Sequence, residues 1–202
     1  MLNVALLLAC SYLIGSIPFG VIAGRIGGFD PRKVGSGNIG MANVARAGGT
    51  GAAAATFVGD MLKGAIPVVF ARVAGFDAPV VAGVALAAFV GSICSVFLGF
   101  RGGKGISAAC GIWLVLSPLA LGCALIAFAI VFGVFRIMSL SSMAAAVVLP
   151  PTIAALGLPR PYLLLAIVMA ALVLLRHHQN IRRLVTGQEP TFKPKRSGSS
   201  VA

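Results

Sequence analysis

What this chain has least of is negative charge. Its 202 residues carry four Asp and Glu against sixteen Lys and Arg, a formal net charge of +12. No Ser-His-Asp or His-x4-Asp set is visible, so a catalytic triad or dyad oriented by a carboxylate is excluded. Trp and Tyr are scarce, one and two residues, and stacking aromatics do not accompany the basic clusters. Nucleic acid is therefore excluded as the partner that so much positive charge would otherwise indicate. The four cysteines, at 10, 94, 110 and 123, lack CxxC spacing and lie inside apolar runs. They read as packing residues and carry no information on redox compartment. The start, MLNVALLLACSYLIGSIPFG, lacks a basic region ahead of its apolar run, and the first positive charge, Arg25, follows it. This pattern excludes a cleaved signal and predicts a retained first span with the N-terminus outside.

Apolar length is what the chain has in excess. It is 59% hydrophobic, and its mean hydropathy of +1.04 is far too high for an ordinary soluble domain. Charges cluster at the ends of long apolar runs, the pattern of transmembrane helices. The expected fold is an all-α, polytopic integral membrane bundle. A single domain would cover 1–187, and 188–202, GQEPTFKPKRSGSSVA from Gly187 on, would be a disordered cytoplasmic tail.

Residues 1–24 form a first span, with a kink expected around Gly15, Pro18 and Gly20. A polar, glycine-rich segment follows at 25–48. The second span is 50–71, the third 80–98. From Gly105 to Phe135 there are 31 uncharged residues, about 47 Å of helix at 1.5 Å per residue. That is too long for one span, and Ser117-Pro118 divides it into two. The run 141–175 is divided likewise by LGLPRP at 156–161. Seven spans result, with the C-terminus cytoplasmic. Thirteen of the sixteen basic residues then share one side, Arg72 and Arg160 lie on the other, and Lys63 sits inside the second span. The positive-inside rule supports this orientation, and every polar glycine-rich segment converges on the cytoplasmic face. Non-helical backbone at that depth implies a polar cavity.

Four stretches there carry chemistry. VGSGNIGMANVAR (34–46) contains a formal GxGxxG, but neither a preceding strand nor a βαβ unit accompanies it, so a dinucleotide is excluded. Its glycines, Gly37 among them, free backbone N–H groups for an anion, Ser36 and Asn38 add hydrogen-bond groups, and Arg46 offers a bidentate fork. FLGFRGGKGIS (97–107) is not a Walker A motif, since Leu98 stands where the first Gly belongs and Gly105 where Ser or Thr does. Arg101, Gly102, Gly103, Lys104 and Gly105 nonetheless place amide donors and a lysine charge at a helix start, a built anion site rather than a lipid anchor. In SLSS (139–142), Ser141 or Ser142 is a helix cap or an anion contact. In RHHQNIRRL (176–184), helical spacing puts His177, Asn180, Ile181 and Leu184 on one face. His178, Arg182 and Arg183 are turned towards solvent or the phosphates of membrane lipids. Asp60 and Lys63, three residues apart within the second span, are expected to pair, as a packing contact or a functional one.

These stretches, in this order, resemble the bacterial acyl-phosphate-dependent glycerol-3-phosphate acyltransferases, the PlsY family. SYLIGSIPFG (11–20), SGNIG…NVAR, DMLKG (60–64), VFLGFRGGKG, SLSS and RHHQNIRRLVTG carry the resemblance, which covers all but the tail. It implies an enzyme of the bacterial inner membrane, active on the cytoplasmic face. Acyl phosphate would acylate the 1-hydroxyl of glycerol-3-phosphate, giving lysophosphatidic acid and phosphate for phospholipid synthesis, with no metal or other cofactor and no obligate protein partner. Lys104, His177, Asn180 and Ser36 would be catalytic. Arg46, Gly37, Asn38, Arg101, Gly102, Gly103, Gly105 and Ser142 would bind substrate. Two departures stand out: Ser92 and Ser95 replace the family's usual His and Pro ahead of the second motif, and Ala42 and Ala108 replace threonines. The proton of the attacking hydroxyl would go to a substrate phosphate or to His177, with the substrate-assisted route favoured because no carboxylate orients His177. A transporter or channel for a phosphate-bearing organic anion is the competing class, sharing the basic cavity and broken helices. A lipid-binding scaffold is a third.

Overall fold

The computed structural model describes residues 3–191. The part of the expected tail from residue 192 onward lies outside the described residues.

The chain is all-helical among these residues. The expected first kink divides α1 (Val4–Gly15) from α2 (Phe19–Ile26). Pro18 accounts for it, since its missing N–H and ring cannot continue a helix. A polar loop, turning through Pro31–Lys33, leads to α3 (Met41–Val73), which starts well before the expected residue 50. Gly49 adopts φ 78° and ψ −174° and kinks α3, so the glycine-rich motif ends as a short helix, 41–48, joined to the span. Next come α4 (Ala78–Ile93), α5 (Ile106–Leu116) and α6 (Pro118–Phe135), with the predicted break at Ser117-Pro118. Ser117 caps α6 by accepting from Ala120 N. Then follow α7 (Met138–Ala155), α8 (Arg160–Arg176) and a short α9 (His178–Val185).

The seven expected apolar segments are all helical. Five stretches, beginning at Val4, Met41, Ala78, Pro118 and Met138, are long and apolar enough to cross a membrane, and α8 with α9, bent by 60°, makes a sixth. The segment Ile106–Leu116 is apolar but only 11 residues, about 16 Å at 1.5 Å per residue.

Helices in lipid gain nothing from burying apolar surface against one another, so close backbone approach decides their packing. Glycines provide it at two crossings. A Cβ on Gly15 would strike the Ala88 backbone and one on Gly91 the Tyr12 carbonyl, locking α1 to α4. Gly64 meets the Ala108 backbone and Gly111 the Met61 carbonyl, locking α3 to α5. The second crossing sets the start of α5 directly beside α3. Phe89, Ile112, Trp113 and Ile153 fill the core between α4, α5, α7 and α8.

The Asp60–Lys63 pair forms as expected, with Lys63 Nζ 2.6 Å from Asp60 Oδ1. Lys63 Nζ also donates to the Ile17 carbonyl at 2.9 Å, which ties α3 to the α1–α2 break. Breaking a buried ion pair strands a charge, at a cost of about 3–5 kcal/mol, whereas replacing both partners by apolar groups is close to neutral. Lys63→Met should therefore sharply lower the melting temperature in detergent. Adding Asp60→Leu should recover most of the loss, and simple additivity of the two changes would show that the pair does not couple them.

Candidate active site

The site begins with an asparagine. In the first turn of α3, the Asn43 amide nitrogen lies 2.7, 3.0 and 2.8 Å from the carbonyls of Pro31, Val34 and Asn38. Its Oδ1 accepts from Ser36 N at 3.0 Å. One buried side chain thus folds the whole polar loop back over the helix start. Gly35, at φ 58°, passes so close that a Cβ would meet Asn43 Oδ1, which explains glycine at that position. Asn38 Oδ1 takes the Gly40 amide at 2.8 Å. The loop presents Ser36, and the start of α3 presents Arg46, to a cavity; neither side chain makes a hydrogen bond among the described residues.

The second wall is the glycine loop. Gly102 N and Gly103 N donate to Ile93 O and Ser92 O, at 3.2 and 3.0 Å. Those two amides, expected to face an anion, hold the loop to the end of α4 instead. Arg176 fixes the other side: Nε donates to Gly103 O at 3.1 Å and Nη2 to Gly102 O at 2.7 Å. Gly105 (φ 78°) turns the chain into α5. Ile106, Ser107 and Ala108, the first turn of α5, line the cavity, so the amide donors of a helix N-terminus are offered there.

Lys104 stands between these walls, its Nζ donating to Asn180 Oδ1 at 2.6 Å. Asn180 Nδ2 donates in turn to Glu189 Oε1 at 2.5 Å. This second bond fixes which end of the amide faces Lys104, because a carboxylate only accepts. Glu189 also accepts from Ser139 Oγ at 2.6 Å and Arg183 Nε at 2.7 Å. Burial pushes the Glu189 carboxyl up, but the hydrogen bonds from Ser139, Asn180 and Arg183 outweigh it and hold the carboxyl below its usual range. Burial is also the main reason the Lys104 ammonium drops to about 8. The Glu189 charge opposes that fall, and Arg183, Arg176 and Arg46 add to it.

His177 lies at the 60° bend between α8 and α9. Its Nδ1 is 2.8 Å from Val173 O. A carbonyl only accepts, so Nδ1 carries the proton and neutral His177 offers Nε2 as a lone pair. The same carbonyl also takes the His177 amide. The bend replaces the continuous helical face expected over 177–184: His177 and Asn180 are buried in the cavity wall, while Ile181 is 39% exposed.

The cavity encloses about 840 Å³. It gathers Ser36, Asn38, Arg46, Gly103, Lys104, Gly105, Ser142, His177 and Asn180 from the expected set. Gly37, Arg101 and Gly102 are not in its wall, and Arg101 is exposed. Of the two serine candidates, Ser142 reaches the cavity and Ser141 is buried away from it. Neither caps α7, whose cap residue is Ile137; both donate back to carbonyls four residues earlier, Met138 and Ile137. Ser92, in the place of the family histidine, lines the cavity and donates to Phe89 O, while Ser95 bonds Ser16 O at 2.6 Å. Arg183, expected to face solvent or lipid, is held instead by Glu189 in the cavity wall.

Asn43, Arg176 and Glu189 were not singled out from the sequence. Only Asn43, just after a glycine run at a helix start, left a signal there. Glu189 falls just inside the stretch assigned to the tail.

The likeness to known proteins covers nearly all of this structure. The chain matches the family model described as Glycerol-3-phosphate acyltransferase over residues 5–187. It is 46% identical to the glycerol-3-phosphate acyltransferase of Geobacter sulfurreducens, over 96% of this chain and 100% of the relative. It is 47% identical to that of Rubrobacter xylanophilus, over 96% and 97%. Among solved structures, it resembles PlsY (YgiH), an integral membrane glycerol 3-phosphate acyltransferase, crystallised in its glycerol 3-phosphate form. That likeness has a TM-score of 0.90 at 37% identity, covering 94% of this chain and 96% of the other. A lysophosphatidic acid form matches nearly as well, at a TM-score of 0.89. By the family match, the relatives and the shared fold, the chain belongs to the glycerol-3-phosphate acyltransferase family.

Proposed function

We propose that this protein transfers an acyl group from acyl phosphate to the 1-hydroxyl of glycerol-3-phosphate, releasing lysophosphatidic acid and inorganic phosphate. The observation that carries the reading is one cavity lined by two cations from separate elements, Lys104 and Arg46, the latter with no side-chain hydrogen bond among the described residues. Two phosphate-bearing substrates suit such a site, and a mixed anhydride is already activated, so positioning and charge stabilisation suffice.

In this mechanism the 1-hydroxyl oxygen attacks the acyl carbonyl carbon, and the bond between that carbon and the bridging oxygen of the phosphate breaks. The phosphate leaves with that bond's electron pair, and the hydroxyl proton passes to one of its oxygens. Lys104 and the first-turn amides of α5 stabilise the charge on the leaving phosphate. Arg46 and Ser36 hold the acceptor phosphate. His177 Nε2 accepts a hydrogen bond from the attacking hydroxyl and orients it. Ser142 turns its hydroxyl from Met138 O to the phosphate.

All seven apolar segments cross the membrane, N-terminus outside and C-terminus inside, with residues 1–187 as one domain and the cavity on the cytoplasmic face of the bacterial inner membrane. The short α5 then carries the chain outward to Ser117-Pro118, and α6 returns it to the cytoplasmic side.

Purified protein in lipid, given labelled glycerol-3-phosphate, should form lysophosphatidate from palmitoyl phosphate and not from palmitoyl-CoA. Flux of glycerol-3-phosphate across proteoliposomes without turnover of either donor would overturn the enzyme reading in favour of a transporter.

A further inference from the structure

A second, small cavity of about 60 Å³ lies among α5, α6, α7 and α8. Ile106, Cys110, Leu125, Phe128 and Ser142 line both it and the polar cavity, so the two adjoin. Its wall runs along α5 from Ile106 to Trp113 and along α7 from Ser142 to Leu149, a rise of seven residues in each, or about 10 Å at 1.5 Å per residue. It therefore leads away from the charged site by two helical turns. Beyond Ser142 its lining is apolar, carbon with the sulfurs of Cys110 and Met169, apart from the indole nitrogen of Trp113.

Size and polarity decide what fits. The cavity is narrow, about 60 Å³, and its apolar lining would leave a phosphate or a headgroup without hydrogen-bond partners. The end of a hydrocarbon fits. Trp113 is fully buried, and its indole N–H has no hydrogen-bond partner among the described residues. Its place is held by ring area alone, and the small side chain of Ala170 on α8 lines the same cavity.

We propose that this extension receives the distal end of the donor's acyl chain, and that Trp113 and Ala170 set the longest chain the enzyme accepts efficiently. The proposal rests on the acyltransferase reading above. A chain that ends at the indole fills the space, and one carbon more must displace a packed core. One methylene in such a pocket discriminates by roughly 10-fold or more.

The test is kcat/KM across saturated acyl phosphates from ten to twenty carbons, for wild type, Trp113→Ala, Trp113→Phe and Ala170→Leu. Trp113→Phe removes an unpaired donor, so it should fold normally and shift the optimum modestly to longer chains. Trp113→Ala should shift it further the same way. Ala170→Leu should shift it to shorter chains, with about 10-fold or greater loss on the longest donor relative to the shortest. Active variants with the wild-type chain profile would overturn the proposal while leaving the acyltransferase reading intact. Wild type that acylates with no donor of any length would overturn both.

Discussion

Lys104→Met should lower kcat/KM for acyl transfer by about 10³-fold while leaving the melting temperature unchanged or slightly raised. Lys104 lines the cavity, and its Nζ is oriented by Asn180 Oδ1. Losing one preorganised donor at a developing negative charge costs about 2.7–4 kcal/mol of barrier, or 10²–10³ in rate. The upper end applies because a full charge is lost, not only a hydrogen bond. Stability moves the other way, since a partly buried ammonium crowded by Arg183, Arg176 and Arg46 is unfavourable for the fold. Lys104→Arg should recover little, because a planar fork cannot reproduce a point charge aimed at both Asn180 and a phosphate. A parallel fall in activity and melting temperature would instead assign Lys104 to the fold.

The same lysine sets a pH limit. Burial brings its ammonium down to about 8, so raising the pH through that value removes the charge the phosphate needs. kcat/KM, which reports the free enzyme, should fall on the alkaline side with an apparent pKa near 8. A bound phosphate restores an anion beside Nζ and raises the pKa, so the corresponding limb of kcat should lie higher. Lys104→Arg, whatever its residual rate, should lose the limb altogether, because guanidinium stays charged. An alkaline limb that persists in Lys104→Arg would assign it to another group.

The bundle and its breaks were legible because their causes are local. Pro18, Ser117-Pro118 and LGLPRP interrupt apolar runs, and the helices stop there. The bend at His177 was not, since neither Gly nor Pro marks it and the side-chain bond to Val173 O is a property of the folded chain. The cationic residues of the site were legible because uncompensated charge in an apolar chain needs a reason. The groups that hold them were not. Asn43, Arg176 and Glu189 act on backbone or amide groups up to 74 residues distant, and side-chain-to-backbone bonds of that range leave no periodic signal. Each of the four acids has a structural partner. Asp30 caps the Pro31 turn and pairs with Arg32, Asp60 pairs with Lys63, Asp77 caps α4, and Glu189 orients Asn180.

Asn43→Ala should nearly abolish activity without removing any group that touches substrate. The change leaves the carbonyls of Pro31, Val34 and Asn38 and the amide of Ser36 without the bonds that close the loop. Each buried group left unpaired costs about 1–3 kcal/mol, so the loop opens to water rather than stay in place unbonded. Ser36 then loses its position, and a misplacement of about 1 Å costs ~10²-fold in rate. The helices of the bundle do not depend on this loop, so far-UV circular dichroism should be unchanged. The isosteric Asn43→Asp separates geometry from size. Its carboxylate still accepts from Ser36 N but sets negative oxygen against three carbonyls, so it should be at least as inactive as alanine at neutral pH. Protonation restores one donor, so Asn43→Asp alone should recover activity as the pH falls towards 5. Full activity of Asn43→Asp at neutral pH would show that the three carbonyl contacts do not hold the loop.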